Sequence, residues 1–286
     1  MYLIDLGKRL GDKNNIGIII FLILNTLLIM AIFRDPLIGL TVYLISLAIA
    51  LSPIGEWILR LQQGCKPIKR REHVQRLMPL FNEVYEKAKV LDPNISKNIK
   101  LFINKEKAPN AFATGRNTIC LTKGLLSLSD EEIKATLAHE FGHLSKKDTD
   151  FILLIAVGNL IVSAIFVVFR AVFWVAGTIT SIMNRSFGSL VFTFLVDLVL
   201  VGLMWLWTKF GILLVNHSMR KTEYVADEFA YKMGYGDNLI SLLDHLDSLD
   251  DEGYEASGLF ANLASTHPDT DLRVANIQEL QEQSIA

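Results

Sequence analysis

Apolar and polar positions alternate along this chain on a coarse scale: four long apolar stretches separate segments with helical or strand periodicity. Residues 1–15 are polar and carry Lys8, Arg9 and Lys13, and Ile16 to Phe33 is then apolar except for Gly17, Asn25 and Thr26. A run of that length spans a bilayer as a helix, and no small-residue cleavage site follows it, so it reads as an anchor, not a leader. Arg34-Asp35-Pro36 makes a tight polar turn, and a second apolar run covers 36–54. The third and fourth runs cover 151–179 and 190–215, joined by a linker with Asn184, Arg185 and Ser186. Two membrane hairpins are therefore expected, in 1–62 and 151–215.

The segments 63–150 and 216–286 have the composition of a soluble domain, which the second hairpin interrupts. Val74, Leu77, Leu80, Phe81, Val84, Ala88 and Leu91 predict an amphipathic helix bent by Pro79. Ile99 to Ile103 and Asn117 to Leu121 read as strands, and the weakly polar stretch Ala108 to Gly115 between them suits an edge strand. Ser129-Asp130-Glu131-Glu132 predicts a helix start, with Ser129 as N-cap and Glu132 completing a capping box. Asn216 to Met233 is expected to continue as helix, ended by Gly234 and Gly236, with further helices from Asn238 to Leu249 and from a Thr270 cap to Gln283. The acidic positions Asp250, Asp251, Glu252 and Glu255 read as a solvated loop.

Basic residues set the orientation. Lys8, Arg9 and Lys13 precede the first run, Lys66, Lys69, Arg70 and Arg71 follow the second, Lys146 and Lys147 precede the third, and Arg220 and Lys221 follow the fourth. By the positive-inside rule both termini and both soluble segments are cytoplasmic. Arg170 and Asp197 fall inside the third and fourth runs at similar depth, where an ion pair would fasten the hairpin. Trp174, Trp205 and Trp207 suit interfacial belts. Of 286 residues 51% are hydrophobic and only 20% charged, too apolar for an ordinary soluble protein, and a net charge of −2 gives no basic field for nucleic acid. Cys65 and Cys120 are too few for a disulfide scaffold and lack metal-site spacing, which favours a reducing compartment.

The chemistry centres on His139-Glu140-Phe141-Gly142-His143. With Ile133, Leu137 and Leu144 at helical spacing, His139 and His143 lie one turn apart on one face. Two imidazoles so placed can ligate one zinc ion, and Glu140 beside them can take a proton from the water that zinc activates. A catalytic site needs a third ligand. Glu223 fits, with Asp227 one turn on placed to accept a hydrogen bond from a ligating histidine, most simply His139. His73 and His245 read as solvated, and His217 points to another face than Glu223. His267, before Pro268, and Arg273 could bring donors to the same site. The expected fold is a mostly α membrane protein, with four transmembrane helices plus a cytoplasmic zincin-like α+β domain containing a small sheet and the H-E-x-x-H helix.

These residues resemble one family over essentially the whole chain. Two N-terminal spans, His139-Glu140-x-x-His143, a membrane hairpin, Glu223-x-x-x-Asp227 and His267-Pro268 are similar to the HtpX-like zinc proteases of the bacterial inner membrane, in the M48 metallopeptidase family. The resemblance implies a cytoplasm-facing endopeptidase with one Zn2+ per chain. It further implies quality control of unfolded or damaged membrane-protein substrates under stress, with a functional link to other membrane quality-control proteases. It gives Asn110, Ala111, Phe112 and Ala113 the role of a substrate-docking edge, and His267 and Arg273 a substrate or transition-state role. Three other readings compete. A prenyl-protein protease of the same group would need more spans around a chamber. A membrane adaptor with structural zinc would need a closed four-ligand site, typically with cysteine. A transporter would show more intramembrane charge or broken helices in matching halves.

Overall fold

The computed structural model describes residues 16–33, 35–251 and 269–285. Its helices and strands follow in the order α1 (Ile16–Ile32), α2 (Pro36–Ala50), α3 (Pro53–Gln62), β1 (Lys66–Pro67), α4 (Arg71–Leu91), β2 (Lys100–Ile103), β3 (Ala111–Thr114) and β4 (Thr118–Leu121). Then come α5 (Asp130–Lys146), α6 (Thr149–Met183), α7 (Phe187–Ala230), α8 (Gly236–Asp251) and α9 (Thr270–Ile285).

The apolar runs become helices, with one departure from the sequence expectation. The second run does not continue to Ile54: α2 stops at Ala50 and α3 leaves it at 76°. Pro53 has no N–H to continue the ladder, and the Ser52 hydroxyl takes the Ile54 N–H at 3.1 Å as a new N-cap. The fourth run passes Val215 as continuous helix, as expected. With no helix breaker between, α7 carries straight on to Ala230, a single helix of 44 residues that takes Glu223 and Asp227 with it. Among the described residues α6 and the first 25 residues of α7 are long and apolar enough to cross a membrane, and the bent α2–α3 pair would make a third; α1 is a shorter apolar helix of 17 residues.

Polar groups inside these helices are paired. Arg170 grips Asp197 through two hydrogen bonds, 2.5 and 2.6 Å long, joining α6 to α7 as a structural ion pair. Trp207 is half-buried and donates its indole N–H to Asn25 at 3.1 Å, tying α7 to α1. Val168, Val172, Val175, Phe192, Leu195, Leu198 and Val199 stay exposed, an apolar belt around α6 and α7.

The remaining elements share one core. Leu77, Phe81 and Val84 of α4, Leu101, Ile119 and Leu121 of the sheet, Ile133, Leu137 and Phe141 of α5, Leu239 of α8 and Ile277 of α9 pack together. The sheet runs in the order β1-β2-β4-β3, with β2 parallel to β4 and both outer strands antiparallel to their neighbours. That order leaves β3 at an edge. Ser129 and Glu132 form the capping box at the start of α5. Asp269, not Thr270, caps α9: its carboxylate accepts the Asp271 N–H at 2.9 Å, and Thr270 is the first helical residue. His245 is not merely solvated, since its Nδ1 lies 2.8 Å from Glu132. Both cysteines are free, Cys120 buried with Phe102 and Phe112 and with Cys65 packed against them.

Candidate metal centre

The centre forms where α5 crosses α7. Gly142 makes the crossing close: a Cβ there would come within 2.7 Å of the Ala226 Cα, so a side chain at 142 would push the helices apart. With the helices in contact, His139 and His143 face Glu223 and Asp227. All four are buried. The two imidazole Nε2 atoms are 3.2 Å apart, and the Glu223 carboxylate stands 3.4 Å from His143 Nε2 and 3.5 Å from His139 Nε2. Ligands bound tetrahedrally to zinc at about 2.0–2.1 Å are separated by roughly 3.3 Å. The two imidazole nitrogens have that spacing, each meets a different oxygen of Glu223 near it, and one donor atom from each residue lies within 4.8 Å of the others. These residues are the metal-capable group among the described residues.

Neighbouring side chains aim the imidazoles. Asp227 accepts from His139 Nδ1 at 2.7 Å, which leaves Nε2 to face the other donors. Arg273 holds that carboxylate from behind, donating through Nη2 at 2.6 Å and Nε at 2.8 Å. Its Nη1 is 3.9 Å from Glu223. For Asp227 burial pushes the pKa up, but the bonds from Arg273 and the His139 charge outweigh it and bring it to about 2. For His139 burial pulls the pKa down and Asp227 more than reverses it, so the net direction is up. His143 also moves well up: burial opposes the charge, and Asp148 and Glu223 overcome it.

Asp148 was not singled out by the sequence. Its Oδ2 lies 3.7 Å from His143 Nδ1, a ring nitrogen that is buried and makes no hydrogen bond. The helix ends at Lys147 in a left-handed turn (φ 58°), and that turn swings Asp148 back toward the ring. An acid five residues after the second histidine was the available signal.

Glu140 reaches the sheet. Its Oε2 accepts the Ala113 N–H at 2.6 Å. The direction of that N–H follows from the register. Thr122 N–H donates to the Asn110 carbonyl at 2.9 Å, and 110 pairs with 122 on the β3–β4 register, so Phe112 and Thr114 also turn their backbone groups toward β4. Ala111 and Ala113 then point their N–H and C=O groups outward, toward the helix that carries Glu140. The Ala111 N–H is taken up by the Asn110 side chain at 2.8 Å. Thus Asn110, Ala111, Phe112 and Ala113 lie at the sheet edge beside the centre. His267 lies outside the described residues. Arg273 is within the cluster, bound to Asp227.

The sequence profile of peptidase family M48 matches residues 73–281, which contain every residue of this centre. The chain belongs to that family of metallopeptidases. It is 29% identical to the protease HtpX of Alcanivorax borkumensis over 259 residues, covering 82% of this chain and 80% of that one. A protease HtpX homolog of Sulfurovum sp. is 29% identical over 206 residues, 63% of this chain and 68% of its own. Among solved structures, S. mikatae Ste24p aligns with 96% of this chain and 65% of its own at 20% identity, with a TM-score of 0.48.

Proposed function

We propose that this protein is a zinc-dependent endopeptidase of the bacterial inner membrane that cleaves unfolded or damaged membrane proteins at the cytoplasmic face, as part of quality control under stress. The observation that carries the reading is the convergence of His139, His143 and Glu223 at zinc-ligand spacing, with Glu140 bridging from the same helix to the edge of the sheet. In this reading the chain spans the bilayer four times, α1, the bent α2–α3 pair, α6 and the first part of α7 being the spans, with both termini inside.

His139, His143 and Glu223 would hold one Zn2+. When bound, the ion supplies Lewis acidity to a water and to a peptide carbonyl. Asp227 keeps the His139 proton on Nδ1, and Arg273 keeps Asp227 ionised and in place. Glu140 takes a proton from the attacking water and gives it to the leaving amine. The outward carbonyls of Ala111 and Ala113, and their N–H groups once exchanged from the Asn110 and Glu140 side chains, pair with an extended substrate as an added strand, which selects an accessible, unfolded backbone over a particular sequence. His267 or Arg273 supplies a donor to the developing oxyanion. A functional link to other membrane quality-control proteases follows from a shared pool of damaged substrates.

The test is cleavage of casein by detergent-purified, zinc-loaded protein. Wild type should cleave it, and Glu140→Gln should bind zinc yet cleave about 10²–10⁴-fold more slowly. Cleavage by the variant at the wild-type rate would remove Glu140 as the base, and no cleavage by zinc-loaded wild type would remove the function.

A further inference from the structure

The turn that joins β3 to β4, residues 114–118, is held from two sides by helices that do not belong to the sheet. Glu56 of α3 comes from one side. Its Oε1 accepts the Thr118 hydroxyl at 2.5 Å and Arg60 Nη1 at 3.4 Å, and its Oε2 faces the Arg116 N–H at 3.4 Å. Arg60 also donates to the Thr118 hydroxyl oxygen at 3.0 Å and lies over the Phe102 ring. Gly115 adopts the left-handed region (φ 59°), and a Cβ there would come 2.4 Å from Glu56 Oε2, so the turn lies flush against the carboxylate. From the other side, at the head of α6, the Thr149 hydroxyl donates to the Gly115 carbonyl at 2.5 Å. Asp150 accepts the Arg116 guanidinium at 2.7 and 3.3 Å.

Glu56, Thr149 and Asp150 are 2%, 0% and 1% exposed. Buried acids are costly unless their partners satisfy them, and here the partners are groups of this one turn together with Arg60. The turn is worth holding because of what precedes it. Ala113, whose N–H meets Glu140, is two residues before Gly115, and among the described residues β3 has β4 alone as a strand neighbour. The position of the C-terminal half of β3 over the metal centre is therefore set by the Glu140 contact at Ala113 together with this clamp on the residues that follow.

We propose that Glu56 is a positioning residue for cleavage: with Thr149 and Asp150 it clamps the β3–β4 turn between α3 and the head of α6, and so fixes the substrate edge relative to the metal centre. The proposal rests on the reading of β3 as the docking edge. It makes the helices at the membrane side part of the substrate site while leaving zinc and base untouched. Substrates that pair with the edge should feel its loss, and substrates that cannot pair should not.

The experiment uses full-length, zinc-loaded protein in detergent and two fluorogenic peptides of one sequence, the second N-methylated at the backbone nitrogens that would pair with β3. Wild type should show a higher KM for the methylated peptide. Glu56→Gln should raise KM for the unmethylated peptide about tenfold, with its kcat and both constants for the methylated peptide changed by less than about twofold. Zinc content should stay at the wild-type level. Thr149→Val, which loosens the same turn from the other side, should act in the same direction and decides the matter if the Glu56 variant does not fold. If wild type treats the two peptides alike, the docking reading fails and takes this proposal with it. If wild type distinguishes them but the variants lower cleavage of both equally, Glu56 is a stability residue and the proposal is overturned.

Discussion

Asp227 is the residue on which the internal order of the centre depends, and Asp227→Asn tests that directly. The wild-type carboxylate is 0% exposed and takes three bonds, from His139 Nδ1 at 2.7 Å, Arg273 Nη2 at 2.6 Å and Arg273 Nε at 2.8 Å. His139 Nδ1 and Arg273 Nη2 both bond to Oδ1, and Arg273 Nε bonds to Oδ2. Asparagine with its oxygen in the Oδ1 place therefore still accepts from both, but it has lost the charge and sets its amide N–H against Arg273 Nε, donor against donor. The Arg273 charge then remains buried with Glu223 at 3.9 Å as its next acid. Breaking a buried pair from one side costs about 3–5 kcal/mol. Replacing the charged carboxylate behind a ligating histidine by a neutral amide lowers metal affinity about 10–100-fold, or roughly 1.4–2.7 kcal/mol. Chelator competition reads the affinity and thermal unfolding of metal-free protein reads the stability. The two effects separate in Asp227→Asn/Arg273→Met, which removes the stranded charge: stability should rise above that of Asp227→Asn while zinc affinity stays low. Zinc binding within about twofold of wild type in Asp227→Asn would refute the role given to Asp227.

Three further outcomes are expected. Ala113→Pro removes the N–H that faces Glu140 and the edge, so KM for unfolded substrate should rise about tenfold or more with zinc retained, while Ala113→Ser should behave as wild type; a proline variant with unchanged KM would move docking elsewhere. A reporter active only outside the cytoplasm should be silent when fused at Ala286 and active when inserted near Asn184, and the opposite pattern would invert the topology. Burial pushes the Glu132 pKa up, but the Ser129 hydroxyl and His245 outweigh it and leave it below the usual glutamate value. A depressed folded pKa stabilises above the unfolded value of about 4.3 and is lost as pH falls through the folded one, so Glu132→Gln should flatten the acid limb of a stability–pH profile; an unchanged limb would remove Glu132 from it.

What could be read in the sequence was mostly local. The α5 start at Ser129 and Glu132, the one-turn spacing of His139 and His143, and the edge position of Ala111–Thr114 each follow from residues within a few positions of one another. The pairing of Arg170 with Asp197 followed from the high cost of a lone charge in an apolar run. The break at Ser52–Pro53 was signalled by the proline but hidden in a continuous apolar run. The continuation of α7 past Val215 was legible, since the composition turns polar there but nothing stops a helix. The contacts of Glu56 with Thr118 and of Asp150 with Arg116 join residues far apart in the chain, and no pattern within either segment announces them. Asp148 is intermediate: it lies close in sequence to His143, but its approach depends on the left-handed turn at Lys147.

The most direct test of the metal centre is metal content per chain in protein purified with zinc and freed of loosely bound ions. Wild type and Glu140→Gln should each retain one zinc, because Glu140 stands beside the ligands and not among them, whereas Glu223→Gln should retain essentially none. A full complement of zinc in Glu223→Gln, or its loss from Glu140→Gln, would contradict the assignment of His139, His143 and Glu223 as the ligands.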